Sequence, residues 1–158
     1  MSVGPVVAGI TAMTFWLVVT GTASAQTNKG TCGANAVAFA QSSDTFNTAS
    51  TSPQVIPGMQ AQFTQAVLGC VIVQYTSYAW TRQTNTSFIT FMLDGPSKTQ
   101  TQQYARNLPQ AAADLKTATF VFRNVPAGIH TVVMKLHSSD GQRVGSDGLK
   151  ALTVYFQK

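Results

Sequence analysis

Between Gly69 and Phe156 the chain repeats one pattern: short runs alternate apolar and polar residues and break at Asp-Gly or Pro/Gly turns. In "CVIVQYTSYAW" (70–80), Val71, Val73 and Tyr75 share one parity, and Cys70 and Ile72 the other. "SFITFMLDG" sets Ile89, Phe91 and Leu93 on one face, and "TATFVFRN" does the same with Phe120 and Phe122. "IHTVVMKLHSS" opposes Val132, Met134 and Leu136 to Thr131, Lys135 and His137, and "LKALTVYFQ" ends the chain with Leu152, Val154 and Phe156 together. A period of two marks strands that bury one face. No stretch sustains a helical period. Only "LPQAAADLK" (108–116), inside a long connection from Pro96 to Leu115, offers a short helical turn. The expected fold is therefore all-β, an antiparallel β-sandwich (Ig-like or jelly-roll-like) of about six to eight strands. The 70–80 run is apolar on both faces and reads as a central, doubly covered strand.

The N-terminus follows another logic. Val6 to Val19 is apolar and uncharged but short for a membrane span, and "TGTASA" places small residues at Ala23 and Ala25. That pattern predicts a signal peptide over 1–25 with cleavage before Gln26. The segment "MSVGP" lacks Lys and Arg, so a retained anchor is the alternative. Residues 26–158 suit one domain, with an N-terminal extension and loop over 26–57 and core strands over 58–158. "ANAVAFA" (34–40) reads as a short strand, and the Ser/Thr-rich 41–53 as a loop. Secretion or periplasmic residence is expected, with no membrane span after cleavage.

Composition agrees with export. Charged residues are 9% of the chain, against about a quarter in ordinary soluble domains. Thr and Gln, 17 and 14 of them beyond residue 25, wet the surface instead, and Thr suits a pleated sheet. Two cysteines, Cys32 and Cys70, in an exported chain read as a disulfide, since neither a CxxC spacing nor a neighbouring His points to zinc or redox chemistry.

The titratable residues give little chemistry. "VPAG" (125–128) reads as a tight hairpin corner, with Pro126 setting φ and Gly128 closing the turn, so that Phe122 and Ile129 flank it. His130 then lies on the face of Val132 and Met134, near the core edge, and the sequence offers it no acid partner. His137, seven residues on, takes the opposite face, so the two cannot chelate one metal. Three of the five aspartates precede Gly, where turn chemistry explains them; Asp114 has no obvious mate, and no GxSxG elbow occurs. "SSDGQRVGSDG" (138–148) lacks the ligand ladder of a calcium loop. No catalytic residue, metal site or cofactor is assigned. The net charge of +5 comes from scattered cations, which argues against nucleic acid and for weak attraction to anionic cell-surface polymers.

The candidate binding surface is "QYTSYAWTRQTNTSF" (74–88). Tyr78 and Trp80 share a parity and Arg82 follows, so two rings and a guanidinium are offered to a sugar; the alternative is that Trp80 packs in the sandwich. Asn85-Thr86-Ser87 also fits a glycosylation sequon. Three functions follow: an exported non-catalytic module binding a carbohydrate or protein, an assembly subunit such as a trimeric jelly roll or surface-fibre component, and, third, a small hydrolase. Sequence leaves the oligomeric state open. Together, "GCVIVQY", "FMLDG" and "FVFRNVPAGIHTVVMKLHSSDG" resemble a group of small exported bacterial β-sandwich proteins ending in a VPAG-x-HTV hairpin. The resemblance covers roughly Gly69 to Phe156. It implies the fold and export, and no activity.

Overall fold

A computed structural model describes residues 32–82 and 84–158. The expected signal peptide, 1–25, lies outside the described residues. Among the described residues nine strands follow one another: β1 (Ala36–Ser42), β2 (Phe46–Thr48), β3 (Gln54–Gln65), β4 (Gly69–Thr81), β5 (Thr86–Leu93), β6 (Lys98–Arg106), β7 (Asp114–Val125), β8 (Gly128–Ser138) and β9 (Val144–Phe156). They form two antiparallel sheets. The first runs β1-β9-β4-β7, with β2 also paired to β9; the second runs β3-β8-β5-β6. No helix among the described residues is long and apolar enough to cross a membrane.

The alternation read from the sequence fixes which face goes inward. Val71, Val73 and Tyr75 from β4 meet Ile89, Phe91 and Leu93 from β5, and Val132, Met134 and Leu136 from β8; all are fully buried. Leu152 and Val154 of β9 join the same core. Each such side chain contributes about 1.5–3 kcal/mol on leaving water, and here the two sheets pack their inner faces together to achieve it. One open side is stitched shut between the sheets: Gln102 Nε2 donates to Thr119 O at 2.8 Å, and Tyr104 Oη donates to Lys116 O at 2.9 Å. The Cys32–Cys70 disulfide is present, with Cα atoms 5.1 Å apart, and ties the segment before β1 to the start of β4.

Several expectations need correction. The VPAG corner is not a hairpin: β7 lies in the first sheet and β8 in the second, so Pro126 and Ala127 carry the chain across the sandwich. Gly128, at φ 140°, and Asn124, at φ 54°, supply the backbone that a two-residue crossing requires. The strands that pair with β8 are β3 and β5. The connection from Pro96 to Leu115 contains β6, whose polar "KTQTQQYAR" carries no apolar alternation because it forms the sheet edge beside β5. The short helical turn does form, as one 3₁₀ turn at Gln110–Ala112. The division at residue 57 does not hold, since β1 and β2 precede it and β3 crosses it. Asp147-Gly148 makes no terminal turn; it sits inside β9, where the register against β4 shifts between Thr76 and Tyr78. The central strand β4 is covered along its inner face, whereas its outward Ile72, Gln74 and Thr76 are half-buried and outward burial is reached only near its ends, at Cys70 and Trp80.

Candidate functional site

The outward parity of β4 carries Tyr78 and Trp80, but the two have different surroundings. Tyr78 is 46% exposed. Trp80 is only 5% exposed, yet it stands outside the core cluster, on the outer side of the first sheet. Two local features bury it there. Its cross-strand partner on β9 is Gly145, and the indole lies so close to the glycine that a Cβ there would overlap the ring edge at Nε1, Cε2 and Cζ2. Over the top comes the loop after β6. Thr81 N donates to Leu108 O at 2.5 Å and Leu108 N donates to Thr81 Oγ1 at 2.9 Å, which pins Pro109 and Gln110 beside the indole.

The result is a cavity of about 360 Å³ lined by Trp80, Thr81, Arg82, Pro109, Gln110 and Arg143. Arg82 N donates to Arg143 O at 3.0 Å, so these residues continue the β4–β9 ladder past Thr81 and Val144. Both arginines are exposed, and among the described residues neither has a carboxylate within 4 Å. Gln110 Nε2 donates to Asp147 Oδ2 at 3.2 Å. Trp80 Nε1 and Asp147 Oδ1 are buried without a hydrogen-bond partner among the described residues. Buried polar atoms left so cost about 1–3 kcal/mol each. Of the residues singled out from sequence, Trp80 and Arg82 come together here, and Tyr78 stands beside them on the same outward face. Sequence reasoning missed Arg143 and Gln110, because only the β4–β9 register and the 107–113 loop bring them in.

His130 lies elsewhere and does have an acid partner, contrary to expectation. It is 5% exposed, on the face of Val132 and Met134 as its parity predicts. Its Nδ1 lies 2.5 Å from Asp94 Oδ2 and its Nε2 lies 2.9 Å from Pro126 O. Asp94 sits at φ 53° in the β5–β6 turn and also accepts from Thr131 N at 2.9 Å. The imidazole therefore ties the β5–β6 turn to the crossing from β7 to β8. His137 faces the other way and stacks on Phe88, with ring centroids 5.1 Å apart; burial lowers its pKa. Asp114 pairs with Lys116 at 2.7 Å, which lowers its pKa. Asp140 caps its own loop, accepting from Gln142 N at 2.9 Å.

The sequon at Asn85 is closed to modification in this fold. Asn85 is 1% exposed; its Nδ2 donates to Ser138 Oγ at 3.1 Å and to Gln142 O at 2.9 Å, and its Oδ1 accepts from Thr86 N and Ser139 Oγ.

No protein-family model matches the chain, and no curated protein matches it. Solved structures of similar shape include the globular domain of zebrafish complement 1qA protein, at 9% identity and a TM-score of 0.47, covering 77% of this chain and 95% of that one. The Eiger TNF of S. frugiperda gives 9% and 0.44, covering 77% and 92%. The tripod from the baseplate of bacteriophage Tuc2009 gives 12% and 0.40, covering 99% and 82%. At such identities and scores these likenesses carry no argument about activity, ligand or partner; the chain itself is an antiparallel β-sandwich with one disulfide.

Proposed function

We propose that this chain is an exported, non-catalytic β-sandwich module that binds a carbohydrate at the cell surface or in the periplasm through the Trp80 groove. One observation supports this above the rest. A tryptophan that could have packed between the sheets is instead held outside the core as the wall of a solvent-open cavity. Apolar walls with a few fixed polar groups are the usual make-up of a small-molecule site, and 360 Å³ lies at the small end of the range. That suits one sugar ring, with exposed Tyr78 available to a neighbouring unit. The test is a glycan array probed with the wild-type chain and with Tyr78→Ala and Trp80→Ala. Binding to a defined glycan set, weakened by both variants, supports the reading. An array without signal sinks it, as does binding that both variants leave unchanged.

A second reading, assembly, draws on a different face. Val37 and Phe39 of β1 are largely exposed, and with Ile72, Thr119, Val121, Thr153 and Tyr155 they form an outward surface on which none of these positions is charged. Two copies of a cationic chain meet most easily where neither carries charge. A single monomeric mass in light scattering, across the accessible concentration range, would remove this reading.

A further inference from the structure

Arg82 and Arg143 stand directly opposite each other where β4 ends and β9 begins. Thr81 pairs with Val144, and the next step of the ladder is made by the 3.0 Å bond from Arg82 N to Arg143 O. Side chains directly opposed on one face of an antiparallel pair have Cβ atoms about 4.5–5.5 Å apart, and like charges there repel. Both arginines line the cavity with Trp80, so both reach the same outer side of the sheet. In a chain with only ten Lys and Arg, two are thus placed face to face, and among the described residues no carboxylate lies within 4 Å of either. Trp80 gives the cavity a ring face, while its Nε1, buried without a partner among the described residues, is packed against Gly145. Two cationic side chains thus line one small cavity with no anion of the described residues between them, and the carboxylate of Asp147 is held by Gln110.

We propose that the groove takes an acidic sugar unit, a hexuronate, whose carboxylate is held between Arg82 and Arg143. The planar guanidinium fork matches a carboxylate in two-point contact. Trp80 and Pro109 give the ring an apolar wall, while Gln110, already donating to Asp147, offers amide contacts to ring hydroxyls. The bound anion removes the repulsion between the two arginines, so part of the binding energy comes from relieving a cost already present in the free fold. This identification rests on the carbohydrate reading above, and its test separates the two.

The test is calorimetric titration of the full chain, as wild type and as Arg82→Gln and Arg143→Gln, at low and high salt. The titrants are an oligouronate, its neutral parent oligosaccharide, a sulfated oligosaccharide and a polyglutamate peptide. Thermal melting of each variant establishes that it is folded. The oligouronate binds best, its affinity falls as salt rises, and each glutamine variant weakens it by about ten- to hundredfold. Equal binding of acidic and neutral sugars, untouched by the arginine variants, overturns the carboxylate assignment and leaves the carbohydrate reading standing. Stronger binding of the sulfated sugar also overturns it. Arginine-dependent binding of polyglutamate with no sugar bound overturns both, as does no binding of any titrant.

Discussion

The packing of Trp80 on Gly145 can be broken by adding one methyl group. In Gly145→Ala the new Cβ would overlap the indole near Nε1, Cε2 and Cζ2. The backbone of β9 has little room to retreat, because Gly145 is paired with Trp80 on one side and with Asn47 of β2 on the other. The indole must therefore move. Full expulsion would expose an aromatic side chain of roughly 150–250 Å², worth about 4–6 kcal/mol at about 25 cal/mol per Å². A sideways shift against the pinned 107–113 loop costs about 1–3 kcal/mol, as overpacking does elsewhere. We expect a loss of about 3 kcal/mol, which lowers the melting temperature of a domain this size by about 10 °C. The assay is thermal and urea unfolding followed by tryptophan emission, in a Trp16→Phe background so that Trp80 is the sole indole. Emission should shift to the red in the folded state. In a Trp80→Ala background the same Gly145→Ala change should cost almost nothing, a non-additivity that isolates the contact. An unchanged melting temperature with unshifted emission, or full additivity, would refute the placement of the indole.

Asp94→Ala removes the acceptor for both His130 Nδ1 and Thr131 N and should cost about 2–4 kcal/mol in urea unfolding, with Asp94→Asn losing less. At alkaline pH the core tyrosines set the limit. Burial raises Tyr75 to about 12 and Tyr104 higher still, against an ordinary value of 10.0. Their contribution is thus complete below pH 10 and is lost as pH climbs towards 12; Tyr75 alone accounts for about 3 kcal/mol at about 1.4 kcal/mol per pH unit. Buried Lys150, its pKa lowered by burial, works in the opposite sense, since its cost is relieved as pH rises from that lowered value to 10.5. Urea midpoints measured from neutral pH to about pH 12 should fall steeply only above 10, and less so in Tyr75→Phe. Reduction of Cys32–Cys70, which spans 38 residues, should cost about 4 kcal/mol on the chain-entropy account, and a Cys70→Ser melt that matches wild type would contradict it.

What the sequence shows of this fold is the facing of each strand, because a period of two is a local property. Ile89, Phe91, Leu93, Val132, Met134 and Leu136 all point inward as their parity requires. Sheet membership is not local. "NVPAG" reads equally well as a hairpin or as a crossing, and only the pairing of β8 with β3 and β5 decides it. β6 escapes notice for a related reason: an edge strand of Thr and Gln lacks the apolar half of the pattern. At the site, the shared parity of Tyr78 and Trp80 is legible, whereas the burial of Trp80 depends on Gly145, 65 residues away, and on a loop held by Thr81. His130 and Asp94 meet only because the β5–β6 turn and the β7–β8 crossing lie at one end of the second sheet, a proximity no spacing of 36 residues reveals.

The most direct measurement of the central claim is a ¹H–¹⁵N spectrum of the Trp16→Phe chain during titration with an oligouronate. Its single indole N–H reports on Trp80 Nε1, now without a partner among the described residues. The account predicts a saturable shift of that signal, together with the Nε signals of Arg82 and Arg143. Shifts confined to the Val37 and Phe39 face, or none at saturating oligouronate, would contradict it.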